Sequence, residues 1–513
     1  MPSEGTSSAG GLTARRLSLR LGARAGVRGG VSSYALVVGG FTVLALVVRV
    51  VALGHQPLGG DESFTALVSR RGWLDMYAVV RSDSAAPLPY ALTHLASLLS
   101  TDPGVLRLPA ALAGTLAVPL AAALSRRIGG DRAGMWGALS CAVLPALVLP
   151  ARDARMYALA GTMVLAMALT LWRAVEHPSR GRLVAHACVV AAAMLSDYFA
   201  IFAVVASLLA AAVALRPSRA VLIRVVAASL GGCAVLLLWL PFATAQLHHA
   251  GQPFWLDGIG LLGSVGGVLS GFFGGPPFDP HLAQHAQLVV LQGVGTTGVG
   301  VPVLVLVILV VLRLLRLVRG PLSTSGRAVG YVLGCGLGAA VLIGLVSIVH
   351  PVLDARYASV VWTPLFALVG WGMAQMRWAA VLAVAGMAAG TAAVCVVTTR
   401  ADVASVVHDR LDGRVGAGDL VLASPDTYLQ VLAAADASVV SRTHVEAPAP
   451  PWYFGVAAYP PGAVIRGLPA GTRTIAVVTQ PDDRPPPLVR GDAVLERSCA
   501  TLVCVTVYAA GSS

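Results

Sequence analysis

The sequence predicts an all-α polytopic membrane protein of about eleven transmembrane helices, followed by a small extracytoplasmic α/β domain at the C-terminus. Three observations support this fold class. Apolar residues make up 57% of the chain and charged residues only 12%, against about a quarter in soluble proteins. Apolar stretches long enough to cross a bilayer recur up to about residue 398. Beyond that point, short β-rich runs replace them.

The placement of arginine orients the predicted helices. The formal net charge is +12 and the chain contains no lysine, so every basic cluster is built from arginine. Basic loops of membrane proteins remain preferentially in the cytoplasm. Residues 1–32 contain five arginines and are therefore predicted to form a disordered cytoplasmic tail. The apolar residues 33–53 then cross to the outer side.

The first outer loop, residues 54–105, decides the number of spans. Its apolar segment 86–100 is only fifteen residues long, so it is predicted to be an interfacial or re-entrant helix rather than a span. Eleven spans then place the N-terminus in the cytoplasm and the C-terminus outside the plasma membrane. With this count, every arginine-rich turn except that of Arg152 and Arg155 lies on the cytoplasmic side.

The domain boundaries follow from this topology. Residues 33–398 form the membrane domain, which includes a large outer loop at 244–285, and residues 399–513 form the extracytoplasmic α/β domain. Strands in the second domain are predicted at 419–423, 474–479 and 501–506. Cys499 and Cys504 can form a disulfide in an oxidising exterior if a turn or a bulge brings them together, and this pairing stays open.

Two adjacent carboxylates, Asp61 and Glu62, directly follow the first span. A carboxylate held at the membrane surface can take a proton from one substrate while lipid holds another. Solvated loop acids are the alternative, because most loop acids have no catalytic role. Further ionisable residues on the same predicted face favour the catalytic interpretation: Arg152, Asp153, Arg155, Tyr157, Asp197, Tyr198, Asp354, Arg356 and Tyr357.

Arginines on the outer side require an explanation, because basic residues of membrane proteins lie preferentially on the cytoplasmic side. A bound anion supplies one, because guanidinium groups bind phosphate through paired hydrogen bonds. Ion pairing is the alternative, for example between Arg152 and Asp153 or between Asp354 and Arg356. For Arg155 the two interpretations are equally supported. The position of Arg356 at the membrane edge favours a contact with lipid phosphate.

This arrangement suits the transfer of a sugar from a lipid phosphate to an alcohol. Arg356 is predicted to stabilise the leaving phosphate, and Asp61 is predicted to act as general base for the acceptor. Attack from the face opposite the phosphate inverts the anomeric carbon in one step. This requires the base and the phosphate ligand to lie on opposite sides of the sugar, and an acid from the first loop with a cation from a late span fits that requirement.

Three further features leave alternatives open. His281 and His285, in the large outer loop, have a helical zinc spacing, but no acid completes a recognisable signature, so these histidines are predicted to be solvated or to contact the acceptor rather than to bind metal. Aromatic residues of the same loop either anchor it at the interface or stack on sugar. Arg49, near the outer end of the first span, is predicted to snorkel or to touch lipid phosphate.

Several motifs together resemble the GT-C superfamily of integral membrane glycosyltransferases, most closely its protein O-mannosyltransferase and aminoarabinose transferase branch (glycosyltransferase family 39-like). They cover about residues 35–375, in the family's order: Asp61-Glu62, Pro87-Leu-Pro-Tyr90 with His94, Arg107-Leu-Pro109, Arg126-Arg127 with Gly130-Asp-Arg-Ala-Gly134, Arg152-Asp-Ala-Arg155-Met-Tyr157, Asp197-Tyr-Phe199 and Arg356-Tyr357. The resemblance implies a GT-C-like membrane domain. One departure is Asp197, where related chains often have a histidine before the tyrosine.

The resemblance implies a polyprenyl-phosphate sugar as donor, with mannose as the expected sugar, and an envelope glycan, lipid or protein hydroxyl as acceptor. It implies Asp61 as the catalytic base, Glu62 as its partner and Asp153 as a second outer acid. Donor phosphate is expected at Arg356, Tyr357, Arg155 and Arg152, and the sugar and acceptor at Tyr90, His94, Tyr157, Asp197 and Tyr198. The resemblance implies no required cofactor, and it leaves open whether a divalent metal takes part. Membrane lipid is a further partner, and nothing indicates nucleic acid.

Two other function classes compete with an inverting glycosyltransferase. A transporter or lipid flippase places charges in the middle of the membrane on broken helices, often in repeated halves. Here the charges lie at predicted span ends and no internal repeat is visible. A non-catalytic envelope scaffold would bind glycan or protein through the C-terminal domain. Such a scaffold would tolerate Asp61→Asn, whereas an enzyme would lose transfer.

Overall fold

The computed structural model describes residues 32–83, 85–246, 259–272, 324–376, 379–396, 402–481, 483–500 and 502–510, together with residues 252, 256, 257 and 311. Five helices in these ranges are long and apolar enough to cross a bilayer: Ser33–Val50, Pro103–Val143, Tyr157–Glu176, Arg219–Pro241 and Gly326–Ser347. Shorter apolar helices cover Ala200–Leu215, Thr363–Met373 and Ala380–Ala392. The prediction of a mostly helical, multi-pass membrane protein is confirmed. The count of eleven spans and the orientation of the termini stay predictions.

Some of the apolar segments given above run through two individual helices or cover only part of one. The individual helices up to residue 396 are named in chain order. They are α1 Ser33–Val50, α2 Gly60–Ser69, α3 Trp73–Ser82, α4 Pro87–Ser97, α5 Pro103–Val143, α6 Pro145–Val148, α7 Tyr157–Glu176, α8 Arg180–Ser196, α9 Ala200–Ala210, α10 Arg219–Cys233, α11 Val235–Gln246, α12 Leu261–Phe272, α13 Thr324–Ser347, α14 Ala355–Trp362, α15 Phe366–Met373 and α16 Ala379–Val396. The outer-loop helices are α2, α3 and α4, which lie between the first two long helices in the chain.

The long element α5 is a helical hairpin rather than one straight helix. Its 41 residues are interrupted at Gly129 and Gly130, and Gly130 has a φ of 76°. Glycine adopts such a positive φ readily because it has no Cβ. The second arm then folds back on the first, and Gly137 faces Ser125 so closely that a Cβ at Gly137 would overlap its side chain. The turn falls in the arginine-rich segment 126–132, where the sequence predicts a change of direction.

The prediction for Arg49 is wrong, because its side chain is fully buried and does not reach lipid. Its guanidinium donates to the carbonyls of Ala45, Cys141 and Ala142, at 3.3, 2.9 and 3.1 Å. The last two carbonyls lie in the final turn of α5, where intrahelical donors are missing. Arg49 therefore cross-links α1 to the second arm of the hairpin.

The helix α4 is as short as the sequence predicts. Its 11 residues give a length of about 16 Å, roughly half of the hydrocarbon core of a bilayer. Proline in its first turn suits a helix start, where no backbone N–H partner is needed. His94 holds the other end, because its Nδ1 lies 2.7 Å from the carbonyl of Ser69 and must donate to it. This bond ties α4 to the end of α2.

The C-terminal domain is built on a six-stranded mixed sheet with the strand order β3-β2-β1-β4-β6-β5. Its elements are α17 Val403–Arg410, β1 Asp419–Ala423, α18 Pro425–Ala434, α19 Ala437–Val440, β2 Thr443–Glu446, β3 Val464–Ile465, β4 Thr474–Thr479, β5 Val494–Cys499 and β6 Cys504–Ala509. The strands β1, β2, β3 and β4 run parallel, whereas β6 pairs antiparallel with β4 and with β5. The predicted α/β character of this domain and its strands at 419–423 and 474–479 are confirmed.

In the described residues the third predicted strand begins at Cys504, directly after a turn. The N–H of Ala500 donates to the carbonyl of Val503 at 2.8 Å and closes this turn. Cys499 and Cys504 face each other across it and form a disulfide. The turn that the sequence required for this pairing is therefore present.

The C-terminal domain shares one hydrophobic core with the outer-loop helices. Phe64 of α2 is buried with Tyr428 and Leu429 of α18 in a single cluster that continues into the sheet. The guanidinium of Arg71 also donates to the carbonyl of Ala458, at 2.9 Å. The sheet domain is thus packed directly on the helix that carries the first carboxylate pair.

Candidate active site

Glu62 anchors the first turn of α2 inside the protein. Its carboxylate is buried and makes two contacts with Arg107 of α5, Oε1 to Nε at 2.8 Å and Oε2 to Nη2 at 2.7 Å. The backbone N–H groups of Gly59 and Ala154 donate to the same carboxylate, at 3.1 and 2.8 Å. Glu62 therefore joins three segments of the chain at one point.

Arg107 is fully satisfied as well, which a buried charge requires. Its remaining N–H groups donate to carbonyls of the loop that follows α1, at Leu53, Gln56 and Pro57, over 2.8, 2.7 and 3.0 Å. The Glu62–Arg107 pair thus fixes the loop that leads into α2. Asp61, the next residue toward the helix start, is held in place as a consequence.

Asp61 points outward and meets Arg356. Its Oδ2 accepts a hydrogen bond from Nη1 of Arg356 at 3.0 Å, although the two residues lie 295 positions apart in the chain. The side chains of Arg356 and Asp61 are 38% and 49% exposed, so this ion pair is accessible to substrates. The structure thereby brings together the two residues that the sequence predicts as base and phosphate ligand.

Asp354 positions Arg356 at the start of α14. Its carboxylate accepts the backbone N–H of Arg356 at 2.8 Å, as an N-cap residue does, and lies 3.4 Å from the Nε of the same arginine. The ion pair considered from the sequence is therefore formed, in addition to the contact with Asp61. The ring of Tyr357 stacks on Phe199 with centroids 4.8 Å apart, which fixes the next residue of the helix.

Arg155 lies directly behind Asp61. Its Nη1 donates to the carbonyl of Asp61 at 3.4 Å, to Oγ1 of Thr65 at 3.2 Å and to the hydroxyl of Tyr90 at 3.2 Å. Burial disfavours its charge, but the neighbouring Tyr90 and Asp61 outweigh burial and raise the pKa of Arg155 above its usual value. Burial raises the pKa of Tyr90 to about 12. Arg155 is thus a permanent positive charge beside the carboxylate.

These residues surround a cavity of about 1070 Å³ between the membrane domain and the C-terminal domain. Seven residues predicted from the sequence line it: Asp61, Arg155, Tyr157, Asp197, Tyr198, Arg356 and Tyr357. A volume of this size is at the upper end of the range for small-molecule sites. It is large enough for a sugar phosphate together with part of an acceptor.

Asp197 is a buried carboxyl group in the wall of the cavity. Its side chain is buried, and Oδ1 accepts the N–H of Phe199 at 2.8 Å, while Oδ2 has no hydrogen-bond partner. Burial raises the pKa of Asp197 to about 7, against the smaller lowering effects of the Phe199 N–H and of Arg155. A carboxyl group that titrates near neutral pH is well suited to exchange a proton or to donate a hydrogen bond to a sugar hydroxyl.

Five predicted residues do not line the cavity: Glu62, Tyr90, His94, Arg152 and Asp153. Tyr90 contacts Arg155 from behind, and His94 holds α4 to α2. Arg152 donates to the last carbonyls of α1 and its following turn, at Val48, Arg49, Val51 and Ala52. Because helix C-termini lack intrahelical donors, this contact gives a structural reason for an arginine on this turn.

The C-terminal domain supplies a wall of the cavity that the sequence did not predict. Asp426 at the start of α18 lines it, together with the consecutive aromatic residues Trp452, Tyr453 and Phe454. The carbonyl of Asp426 lies 3.7 Å from the place where a Cβ on Gly60 would be, so α18 begins beside the residue before Asp61. The sequence feature that could have indicated this wall is the run of three aromatic residues after a proline.

No metal site is evident in the part of the chain that the structure describes, where no group of three His, Cys, Asp or Glu side chains is suitably placed. His281 and His285, with their helical zinc spacing, lie outside the described residues. The predicted absence of a required metal therefore stays a prediction.

Comparisons with known proteins bear on the family and the fold. Residues 84–244 match the model of a family described as dolichyl-phosphate-mannose-protein mannosyltransferase. The fold is similar to the crystal structure of ArnT from Cupriavidus metallidurans bound to undecaprenyl phosphate, with a TM-score of 0.56 and 15% sequence identity over 94% of this chain and 99% of that one. The match shows that the chain shares the fold of that ArnT structure over nearly its whole length. The resemblance to the GT-C superfamily that the sequence indicates is thereby confirmed.

Two further structures match less closely. The apo structure of ArnT from the same organism matches with a TM-score of 0.49 and 17% identity, over 94% of this chain and 99% of that one. The oligosaccharyltransferase AglB from Archaeoglobus fulgidus, in complex with an inhibitory peptide and a dolichol-phosphate, matches with a TM-score of 0.48 and 12% identity. That match covers 80% of this chain and 64% of AglB. No curated protein matches the chain by sequence.

Proposed function

We propose that this GT-C protein is an inverting glycosyltransferase that moves a sugar from a polyprenyl-phosphate donor to a hydroxyl group at the outer face of the plasma membrane. The observation that carries the proposal is the contact between Asp61 and Arg356 in the wall of one cavity. A carboxylate and a guanidinium in this position supply a proton acceptor and a phosphate ligand, the two groups that the reaction needs.

Donor binding begins at Arg356. Its ion pair with Asp61 is exposed, and exposed pairs contribute only about 0–1 kcal/mol. A donor phosphate, which accepts paired hydrogen bonds from a guanidinium, therefore replaces Asp61 at little cost. Arg155 adds a second permanent positive charge behind Asp61. Together the two cations stabilise the charge that develops on the leaving phosphate.

Transfer then occurs in a single displacement. The acceptor oxygen attacks the anomeric carbon, and its proton passes to the carboxylate of Asp61. The bond from the anomeric carbon to the phosphate oxygen breaks, and its electron pair leaves with the phosphate. Attack opposite the phosphate inverts the anomeric configuration. It requires Asp61 and Arg356, which lie 3.0 Å apart without donor, to separate so that the sugar lies between them. Glu62 contributes by holding the first turn of α2 through Arg107 rather than by accepting the proton.

The substrates are assigned by class. The sugar is proposed to be mannose, in agreement with the mannosyltransferase family that residues 84–244 match. A polyprenyl-phosphate carrier is supported by the fold similarity to ArnT, which was crystallised with undecaprenyl phosphate. The acceptor is an envelope glycan, lipid or protein hydroxyl, held between the membrane domain and the aromatic wall of Trp452, Tyr453 and Phe454. No cofactor is required by this scheme.

The proposal is tested by transfer assays on membranes that contain the full chain. Radiolabelled polyprenyl-phosphate mannose is the donor, and label in the endogenous acceptor fraction is measured. Loss of a general base lowers rates by about 100-fold or more, so Asp61→Asn is expected to lose transfer to that extent. Arg356→Ala is expected to lose a similar factor, because it removes the ligand of the leaving phosphate.

A second exposed ion pair provides matched controls. Arg410 and Glu496 of the C-terminal domain also lie 3.0 Å apart, with side chains 39% and 58% exposed, and neither residue lines the cavity. Glu496→Gln and Arg410→Ala are therefore expected to keep parental transfer. If Asp61→Asn transferred label as well as Glu496→Gln does, at equal amounts of protein, Asp61 would not be the base.

A further inference from the structure

A second groove lies at the other end of the membrane domain. Its volume is about 890 Å³, and its wall is formed by α1, the first arm of α5 and the end of α7. The side toward α1 is largely apolar and includes Val38 and Val43, whereas three arginines stand at the groove: Arg126, Arg127 and Arg173. An apolar wall with a basic mouth distinguishes this groove from the catalytic cavity, which contains several carboxylates.

The distance along α7 separates the groove from the active site. Tyr157 at the start of this helix lines the catalytic cavity, and Arg173 at its end lines the groove. At about 1.5 Å per residue, these positions are about 24 Å apart along the helix axis. The hydrocarbon core of a bilayer is about 30 Å thick. The arginines therefore reach the headgroup region of the leaflet opposite the catalytic cavity.

The arginines are held at the mouth but remain available to an anion. Arg126 pairs with Asp131 at 2.6 Å, and its guanidinium lies 4.4 Å from the ring centroid of Tyr34. Arg127 pairs at 2.6 Å with Glu176, the one carboxylate among the described lining residues. The side chains of Arg126 and Asp131 are 51% and 57% exposed, so this pair is weak and exchanges readily.

Arg173 gives the groove its excess charge. Within the described residues no carboxylate lies at ion-pair distance from it, and its charged neighbours include Arg127 and Arg182 as well as Glu176. Like charges near each other favour a bound anion between them. The chain's own N-terminal residues are a poor candidate, because residues 1–31 carry five arginines and one glutamate.

We propose that this groove binds a phospholipid with an anionic headgroup. One acyl chain lies along the apolar side formed by α1, and the headgroup phosphate contacts Arg173 together with Arg126 or Arg127. Basic pockets between transmembrane helices are suited to acidic headgroups, because each arginine near the surface adds attraction while the helices bury the chains. The site is independent of the proposed transferase activity, since the two cavities share no lining residue.

The test compares lipid binding to the purified full chain in detergent by native mass spectrometry. The probes are phosphatidylglycerol and phosphatidylcholine with identical acyl chains, and inorganic phosphate alone. Parental protein is expected to retain phosphatidylglycerol over phosphatidylcholine. Arg173→Gln, which breaks no ion pair in the described structure, is expected to weaken phosphatidylglycerol binding about fivefold. Arg126→Gln is expected to act in the same direction.

Arg219→Gln is the matched control, because Arg219 is an exposed arginine at the start of α10 that does not line the groove. It is expected to bind both lipids as the parent does. Each variant is first shown to elute as the parent does in size-exclusion chromatography, so that misfolding is detected separately. Equal binding of the two lipids, unchanged phosphatidylglycerol binding by Arg173→Gln, or full competition by millimolar phosphate alone would each overturn the proposal.

Discussion

At the scale of single residues, the two neighbouring acids at the start of α2 have opposite environments. Successive side chains of a helix point about 100° apart, so Glu62 enters the interior while Asp61 faces the cavity. Glu62 receives four hydrogen bonds, two from Arg107 and two from backbone N–H groups. Asp61 meets Arg356 at the surface instead. The sequence marks the pair but does not say which acid is buried, because that depends on a partner 45 residues away.

This difference predicts opposite consequences for two conservative variants. Glu62→Gln leaves the buried Arg107 without its anion, which is expected to lower the free energy of unfolding by about 3–5 kcal/mol. Asp61→Asn removes only an exposed pair and is expected to cost about 1 kcal/mol or less. Thermal unfolding in detergent measures both. Equal melting temperatures for the two variants would contradict the assigned roles.

Asp197 is expected to make stability depend on pH. The pKa of its carboxyl is about 7 in the folded protein, against an ordinary value of 3.8. The fold thus favours the protonated form, and this contribution to stability is complete below pH 3.8 and lost as the pH rises to about 7. Asp197→Asn has no such titration, so its melting temperature relative to the parent is expected to rise between about pH 5 and 7 and to level off above that. A constant difference across this range would refute the shifted pKa.

At the scale of elements, the aromatic wall depends on one glycine. Gly455 ends the run of Trp452, Tyr453 and Phe454 with a φ of 71°. A Cβ at this position would lie 2.8 Å from the side chains of Phe64 and Leu429. The close approach lets the aromatic run pack against α2, the helix that carries the proposed base, Asp61. Packing across 391 positions of sequence, from 64 to 455, creates this wall, so no local pattern predicts it.

Gly455→Ala is therefore expected to lower both stability and transfer. The new methyl group strains the backbone and displaces the aromatic run from α2. Gly462 offers a control, because it has a similar φ of 77° but a Cβ added to it would meet no described atom within 4 Å. Gly462→Ala is expected to cost about 1 kcal/mol of backbone strain and to keep transfer. The measurements are melting temperature and initial rate, and equal rates for both variants would argue against a functional wall.

At the scale of the whole molecule, the sequence predicts the type of site better than its full outline. Apolar patterning and arginine placement predict the multi-pass class, and the charged residues at helix ends predict that Asp61 and Arg356 share a site. The same patterns predict Arg49 and Arg152 near lipid or phosphate, but both bind helix carbonyls. Free carbonyls at helix ends exist only after the helices pack together, so composition cannot reveal them. The contribution of the sheet domain to the cavity escapes prediction for the same reason.

The shared core predicts that the sheet domain and the outer loop stabilise each other. A chain truncated after residue 398 would expose Phe64, now 4% accessible, and the rest of its apolar cluster. Limited proteolysis is expected to cleave the segment 54–100 in the truncated protein much faster than in the full chain. The turn at Gly129 and Gly130, in the other half of the molecule, serves as internal reference and is expected to be cleaved equally in both. Unchanged protection of the outer loop would show that the domains fold separately.

The contact between Asp61 and Arg356 also bears on the sequence of events during turnover. While the cavity holds no donor, the carboxylate of Asp61 is paired with the guanidinium of Arg356. The paired carboxylate is a poor base toward a water molecule in the cavity. Binding of the lipid phosphate to Arg356 releases the carboxylate of Asp61. The acceptor hydroxyl is therefore activated only when a donor sugar is bound. Because an exposed pair is worth at most about 1 kcal/mol, this preference for donor-first binding amounts to about fivefold. Steady-state kinetics would register it as a random mechanism in which donor-first binding is the preferred route.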